Sequence, residues 1–287
     1  MNVIYSPLRY PGGKNCIFPF ISNIFQVNDL IGYSYAEPYA GGAGLALRLL
    51  FEEYVNHIFI NDLDPLIYAF WKAAMERTDD FCSWIEKTMI TVKTWKKCKE
   101  IIRNPEKHDF FELGTSTFFL NRTNVSGIID GGIIGGLEQR GPYKIDARYN
   151  RSKLIEKIEK IGRFSDRISL SNLDGIAFIR YLNHRKQDIF IYLDPPYYEK
   201  SSRLYMNVYK KEDHINLSNF IPNLNKHWIV SYDNNQFIIN LYSNYRKISY
   251  HISHATSNKI GNEIFVFSDH LKLDLSSESL KGAMAIG

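Results

Sequence analysis

The run Asp188-Ile189-Phe190-Ile191-Tyr192-Leu193 is stopped by Asp194-Pro195-Pro196-Tyr197. β-Branched and aromatic residues without polar alternation are the make-up of a strand buried on both faces, and two prolines in succession end its ladder. A strand of this kind belongs in an open α/β sheet, where ligands bind at the carboxyl ends of the strands. The chain thus delivers a carboxylate, a rigid carbonyl and an aromatic ring at such an end. Together they suit one task, holding a planar amino-bearing ring by its NH2 edge while stacking on its face. The same residues also fit an ordinary loop in which Asp194 caps a turn and Tyr197 packs.

Further strands are expected at 34–37, 57–61 and 228–231, with a hairpin of Arg246–Ser253 and Glu263–Ser268 closing a sheet edge. Helical apolar spacing marks Gly44–Tyr54 and Leu154–Ile161, and strands alternating with helices imply a parallel, doubly wound sheet. The stretch from Trp71 to Asn150 breaks the rhythm, with helical segments at 79–91 and 94–102 and a glycine-rich loop over 127–136. It is too long for a simple crossover and reads as an inserted, mostly helical subdomain. The expected class is α/β, with residues 1–71 and 151–273 forming the sheet domain, 72–150 the insertion, and 274–287 a disordered tail.

Composition is that of a soluble globular protein, 45% hydrophobic and 23% charged over 287 residues. Cys16, Cys82 and Cys98 form no CxxC pair, which argues against a disulfide framework or a zinc site and fits a reducing cytoplasm. No secretory leader or spanning segment is suggested. The net charge of +4 is compatible with a polyanionic partner.

Glu37-Pro38-Tyr39-Ala40-Gly41-Gly42-Ala43-Gly44 follows an expected strand and precedes a helix, so its glycines allow close approach of a ligand to free amides. Asp62, just past the second strand, stands where nucleotide-binding α/β folds place an acidic residue on ribose hydroxyls. Neither GxGxxG nor GxxxxGK[ST] is present, so a nucleoside cofactor without a bound pyrophosphate fits better. Asp64 reads as a helix N-cap before Pro65. In Arg9-Tyr10-Pro11-Gly12-Gly13-Lys14 the Pro-Gly-Gly unit turns the chain, bringing Tyr10 and Lys14 together where a ring could cover a purine and an ammonium meet a carboxylate.

Four blocks in this order, residues 9–14, 37–44, 61–62 and 194–197, resemble the Dam-type family of DNA adenine-N6 methyltransferases. Further similarity lies in Phe118-Phe119-Leu120-Asn121-Arg122, in residues 143–150, and in Asn262-Glu263-Ile264-Phe265-Val266-Phe267. The resemblance implies a Rossmann-like methyltransferase sheet, S-adenosylmethionine as methyl donor, no metal, and an insertion that serves as target-recognition domain. It carries cofactor contacts onto Tyr10, Lys14, Glu37, Pro38, Tyr39, Gly41, Gly42, Gly44, Asp62 and Asp174. The catalytic block falls on Asp194, Pro195, Pro196 and Tyr197. The family's turn usually reads Gly-x-Gly after an aromatic; the extra glycine here leaves open which amide meets the cofactor.

The activity so implied is transfer of a methyl group to the exocyclic N6 of an adenine flipped out of duplex DNA, in a restriction-modification, phage or epigenetic-marking setting, by a monomer. Asp194 and the Pro195 carbonyl would accept the two N–H groups and Tyr197 would stack on the base. Asn121, Arg122, Arg140, Lys144, Arg148 and Arg151 are the first candidates for DNA contacts. Alternatives are adenine methylation in RNA, methylation of a protein glutamine, and a silent DNA-binding homologue. Protein-glutamine methyltransferases typically carry Asn in place of Asp194.

Overall fold

The computed structural model describes residues 3–10, 12–198, 209–253, 260–274, 280 and 282–286. The chain divides into two compact units, one of Met1–Ile4, Gly12–Leu63 and Leu173–Gly287, the other of Tyr5–Pro11 and Asp64–Asn172. In chain order the first unit opens with α1 (Phe18–Val27), β1 (Ser34–Glu37), α2 (Gly44–Phe51) and β2 (His57–Asn61). The second holds α3 (Pro65–Glu76), α4 (Thr78–Lys87), α5 (Val92–Arg103), α6 (Phe110–Thr123), α7 (Arg151–Arg163) and β3 (Ile168–Ser171). The chain returns to the first unit with α8 (Gly175–Asn183), β4 (Ile189–Leu193), α9 (Lys211–Phe220) and β5 (His227–Asp233). It ends in α10 (Gln236–Leu241), β6 (Arg246–Ser253), β7 (Ile260–Phe267) and β8 (Met284–Ile286).

Strands of the first unit stand in the order β2-β1-β4-β5-β7-β6-β8. β1 is parallel to β2 and β4, and β4 to β5, with Ala36 opposite both Phe59 and Ile191. β7 is antiparallel to β5 and to β6. This is the Rossmann-like sheet expected, parallel in its centre with the antiparallel β6–β7 pair beside it. The hairpin does not close the edge, since β8 pairs with β6 outside it. Met284–Ile286, placed by the sequence reading in a disordered tail, are therefore an ordered edge strand. Residues 254–259 of the expected hairpin turn lie outside the described residues.

Both faces of the sheet are covered. On one, Phe25, Tyr35 and Phe190 pack ring to ring, with Tyr35 stacked on Phe190 at 6.2 Å. On the other, Ala36, Ile191, Leu193 and Val230 meet Phe178, Leu182 and Leu217. Because β1 lies between β2 and β4, the loops leaving β1 and β4 sit side by side, the switch point at which such sheets bind ligands.

In the second unit α3 packs on α6 and α4 on α7. Phe70, Phe81 and Phe118 form its aromatic centre, Phe70 and Phe118 stacked at 6.1 Å. A Cβ at Gly114 would stand 2.5 Å from the Ala69 carbonyl, so glycine is what lets these two helices meet. The boundaries differ from those read in the sequence: α3 and α7 bury their apolar faces within the helical unit, which begins at Asp64 and takes in Tyr5–Pro11.

Candidate active site

β4 ends at Leu193, and Asp194 leaves it beside β5. One oxygen, Oδ1, accepts the Ser231 hydroxyl at 2.7 Å, and Ser231 in turn accepts from the buried Tyr192 hydroxyl at 2.8 Å. The other, Oδ2, meets the Lys14 ammonium at 2.8 Å. Lys14 also donates to the Tyr197 hydroxyl at 2.6 Å and to the Gly12 carbonyl at 3.1 Å. Gly12 has φ of +78°, a turn an L residue resists. Tyr197 donates to Glu263 Oε1 at 2.6 Å, and Tyr250 to Oε2 at 2.6 Å. Pro195 is buried and Pro196 half-buried.

Burial pushes the Asp194 carboxyl above the usual carboxylate range, Lys14 pulls it back, and Glu263 raises it again. Asp194 is still 22% exposed while Lys14 is 5% and Glu263 0%. A substrate can reach the first carboxylate and not the second.

Beside it, β1 leads into the glycine turn. Gly41 takes φ of +47° and Ala43 +44°, left-handed conformations that begin α2 sharply. Asp62 fixes the turn by accepting the Gly41 amide on Oδ2 at 2.7 Å. Glu37 is buried, accepts from the Tyr35 hydroxyl at 3.0 Å and from the Ala46 amide at 3.1 Å, and is pushed by burial to about 8. Asn61 pins the surrounding loops: its amide donates to the Pro38 and Leu173 carbonyls, each at 2.9 Å. Gly42 is buried and Gly44 opens α2. The Tyr39 hydroxyl bonds that of Tyr209 at 2.6 Å, and it lies so close to Gly175 that a Cβ there would stand 2.5 Å from the hydroxyl oxygen. Asp174 caps α8 through the Ile176 and Ala177 amides. A half-buried carboxylate beside a tight glycine turn at the switch point is the donor set a ribose-bearing ligand requires, so the residues present fit a nucleoside cofactor.

The other residues singled out in the sequence are placed as follows. Lys14, which the resemblance assigns to the cofactor, bonds Asp194. Tyr10 is half-buried in the second unit. Asn121, expected to read DNA, is 1% exposed with its bonding capacity engaged. It accepts the Arg9 amide at 2.7 Å and donates to the Arg9 and Gly127 carbonyls at 2.9 and 2.8 Å, which makes it an internal tie. Arg122 is half-buried against the Arg148 and Pro7 carbonyls. Burial, with Arg9 and Arg148 nearby, lowers its guanidinium to about 10. Lys157, which the sequence did not single out, donates to the Ser6 carbonyl at 2.9 Å and is lowered to about 8 by burial, Arg122 and Lys153. Arg148 and Lys144 are exposed; Arg140 is exposed but paired with Glu138 at 2.9 Å. Arg151 donates to the Thr88 carbonyl at 2.6 Å. Asp64 caps α3, as its sequence context suggested.

Residues 10–257 match the family described as D12 class N6 adenine-specific DNA methyltransferase. Over 240 residues the chain is 26% identical to the Type II methyltransferase M.CviBI of Paramecium bursaria Chlorella virus NC1A, covering 80% of this chain and 86% of that protein. Among solved structures, M. capricolum TrmK in complex with S-adenosyl-homocysteine aligns with a TM-score of 0.32 and 11% identity, over 87% of this chain and 71% of TrmK. The rRNA methyltransferase aviRa of Streptomyces viridochromogenes aligns with a TM-score of 0.33 and 13% identity, over 86% and 82%.

Proposed function

The chain belongs to the D12 class N6 adenine-specific DNA methyltransferase family, and from that premise we propose that Asp194, Pro195 and Tyr197 hold the target base. The protein is a DNA adenine methyltransferase whose methyl donor is S-adenosylmethionine. When bound, that donor supplies an electrophilic methyl on a sulfonium. The lone pair of an exocyclic adenine nitrogen is delocalised into the ring and is a poor nucleophile. N–H bonds accepted by the Asp194 carboxylate and the Pro195 carbonyl draw the nitrogen toward tetrahedral geometry, and the carboxylate offsets the positive charge that develops on it. Tyr197 stacks on the extruded base, which offsets part of the few kcal/mol that flipping costs. Asp62 takes the ribose of the donor, and the Gly41–Gly44 turn, with Glu37, Pro38, Tyr39 and Asp174 around it, forms the bed for the rest.

The observation that carries this reading is the carboxylate at the end of β4, fixed on both oxygens by Ser231 and Lys14 yet still reachable. DNA is the substrate of the family, and we take it to be duplex. In the second unit, Arg9, Arg122, Arg148 and Lys157 lie near one another, and with Arg140 and Lys144 they are the proposed phosphate contacts. Among the described residues no helix is long and apolar enough to cross a membrane. We read the enzyme as a cytoplasmic monomer of a restriction-modification setting, the last in keeping with its Type II relative.

The test is tritiated-methyl transfer from S-adenosylmethionine to unmodified duplex DNA, with RNA in parallel, followed by mapping of the methylated adenine. Incorporation into DNA, lost by about a thousandfold or more in Asp194→Ala with cofactor binding retained, is expected. Incorporation into RNA alone, or normal turnover of the variant, overturns the reading.

A further inference from the structure

Glu263 is a second carboxylate beside Asp194, and the base-holding scheme leaves it without a task. It lies on β7 opposite Tyr250 of β6, fully buried. A buried carboxylate is costly unless paired and hydrogen-bonded. Both of its oxygens accept tyrosine hydroxyls, from Tyr197 and Tyr250, each at 2.6 Å. Its charge partner is Lys14, whose ammonium stands 2.8 Å from Asp194 and 3.8 Å from Glu263. The lysine therefore sits between two carboxylates and is bonded fully to one.

That asymmetry matters for the reaction. Asp194 Oδ2, the oxygen Lys14 occupies, is on the carboxylate that must accept an adenine N–H. A lysine bonded tightly there competes with the amine and drains the charge that should stabilise the developing positive nitrogen. We infer that Glu263 is a positioning residue for methyl transfer, which takes up the Lys14 ammonium as the adenine amine engages Asp194. A displacement of about one ångström turns the long contact into a charge-assisted bond. The Tyr197 hydroxyl accepts from Lys14 and donates to Glu263, so the ring that stacks on the base is held by the same pair. Tyr250 keeps Glu263 in place, its ring stacked on Phe265 at 4.2 Å. The inference rests on Asp194 as acceptor of the adenine amine.

The experiment compares wild type with Glu263→Gln, Tyr250→Phe, Asp194→Asn, Lys14→Met and the Lys14→Met/Glu263→Gln double variant on DNA containing the mapped site. Calorimetric binding of S-adenosylmethionine serves as the control for fold. Glu263→Gln is expected to lower kcat by about tenfold or more, with cofactor binding and the KM for DNA changed less than about threefold. Tyr250→Phe, which keeps the stacked ring, falls in the same direction by a few-fold. In the double variant the losses do not multiply, because without the lysine there is nothing for Glu263 to take up.

The pH profile separates positioning from mere support. Asp194 faces Lys14 and Cys16 of the N-terminal turn, Tyr35 and Glu37 of β1, and Tyr192 of β4. From the other side come Tyr197, Ser231 of β5, Tyr250 of β6 and Glu263. Glu263→Gln removes the one of these that adds negative charge from β7, so the acid limb of kcat moves to lower pH even as the plateau falls. Multiplicative losses in the double variant, an unmoved acid limb, or an undiminished kcat in Glu263→Gln overturn the inference. Should Glu263→Gln fail the cofactor-binding control, Tyr250→Phe decides, and an unchanged kcat there overturns it equally. Activity retained in Asp194→Asn instead sinks the assignment of Asp194, on which all of this depends.

Discussion

Asp194 is shaped by donors acting on its two oxygens, and the two differ in kind. Lys14 brings a charge that also competes with substrate, whereas the Ser231 hydroxyl brings a neutral bond on Oδ1 that does not. Ser231 thus orients the carboxylate when the adenine amine arrives and adds to the lowering that Lys14 supplies. The sign of its effect follows. Burial raises Asp194, and the Ser231 bond lowers it. Ser231→Ala removes the lowering contribution, so Asp194 protonates at higher pH than in wild type. Methyl transfer needs the ionised form and is lost as pH falls through that value. The acid limb of kcat in Ser231→Ala therefore shifts upward in pH, opposite to Glu263→Gln, with a plateau loss of about tenfold. Steady-state kcat from pH 5 to 9 reads both, and a limb displaced downward or not at all refutes the role given to Ser231.

The turn from β1 into α2 stores its own pH dependence. Glu37 accepts the Ala46 amide in the first turn of α2 and the Tyr35 hydroxyl on one oxygen, in a site that pushes its carboxyl to about 8. An unfolded glutamate titrates near 4.3. Between those values the folded chain binds more protons than the unfolded one, so stability falls as pH rises through this window and levels off above it, with a slope of at most about 1.4 kcal/mol per pH unit. Glu37→Gln keeps the accepting oxygen and removes the titration. Melting temperatures of the two proteins are expected to agree near pH 5 and to diverge in favour of the variant by pH 9; parallel curves would count against it. Elements of this kind were legible where the local pattern is unambiguous. His57–Asn61 and Arg246–Ser253 fall where β-branched and aromatic residues place them, and Ser34–Glu37 is a strand although its sequence signals one only faintly. α6 did not announce itself, since Gly114, Thr115, Ser116 and Thr117 are poor helix formers and most of its faces are buried, leaving no amphipathic stripe. Asn121 and Arg122 looked like surface groups for the same reason, although each spends its donors on backbone carbonyls within the second unit. Asp194 was found because two prolines follow it at the end of an apolar run. Ser231, Tyr250 and Glu263 were given no role, because only the β5-β7-β6 pairing shows what each faces.

At the scale of the whole molecule the net charge of +4 says little about DNA, because affinity depends on where the charge sits. The second unit gathers Arg9, Arg122, Arg148 and Lys157; burial, reinforced by neighbouring cations, lowers Arg9, Arg122 and Lys157, the last to about 8. A cation crowded by cations gains from a phosphate, which gives the proposed DNA contact a measurable signature. Below pH 8 Lys157 is charged and contributes; as pH rises from 7 to 9 the free enzyme loses that charge and affinity for DNA falls. Lys157→Met should flatten this pH dependence and reduce the slope of log K against log salt by about 0.9, the contribution of one phosphate contact. Arg148→Gln should reduce the salt slope by a similar amount while leaving the pH dependence in place, since it leaves Lys157 untouched. Fluorescence anisotropy of a labelled duplex, titrated at three pH values and four salt concentrations, separates the two. Identical salt slopes for wild type and both variants would move the DNA contact away from this cluster and leave its charges as ties for the carbonyls of Pro7, Ser6 and Arg148.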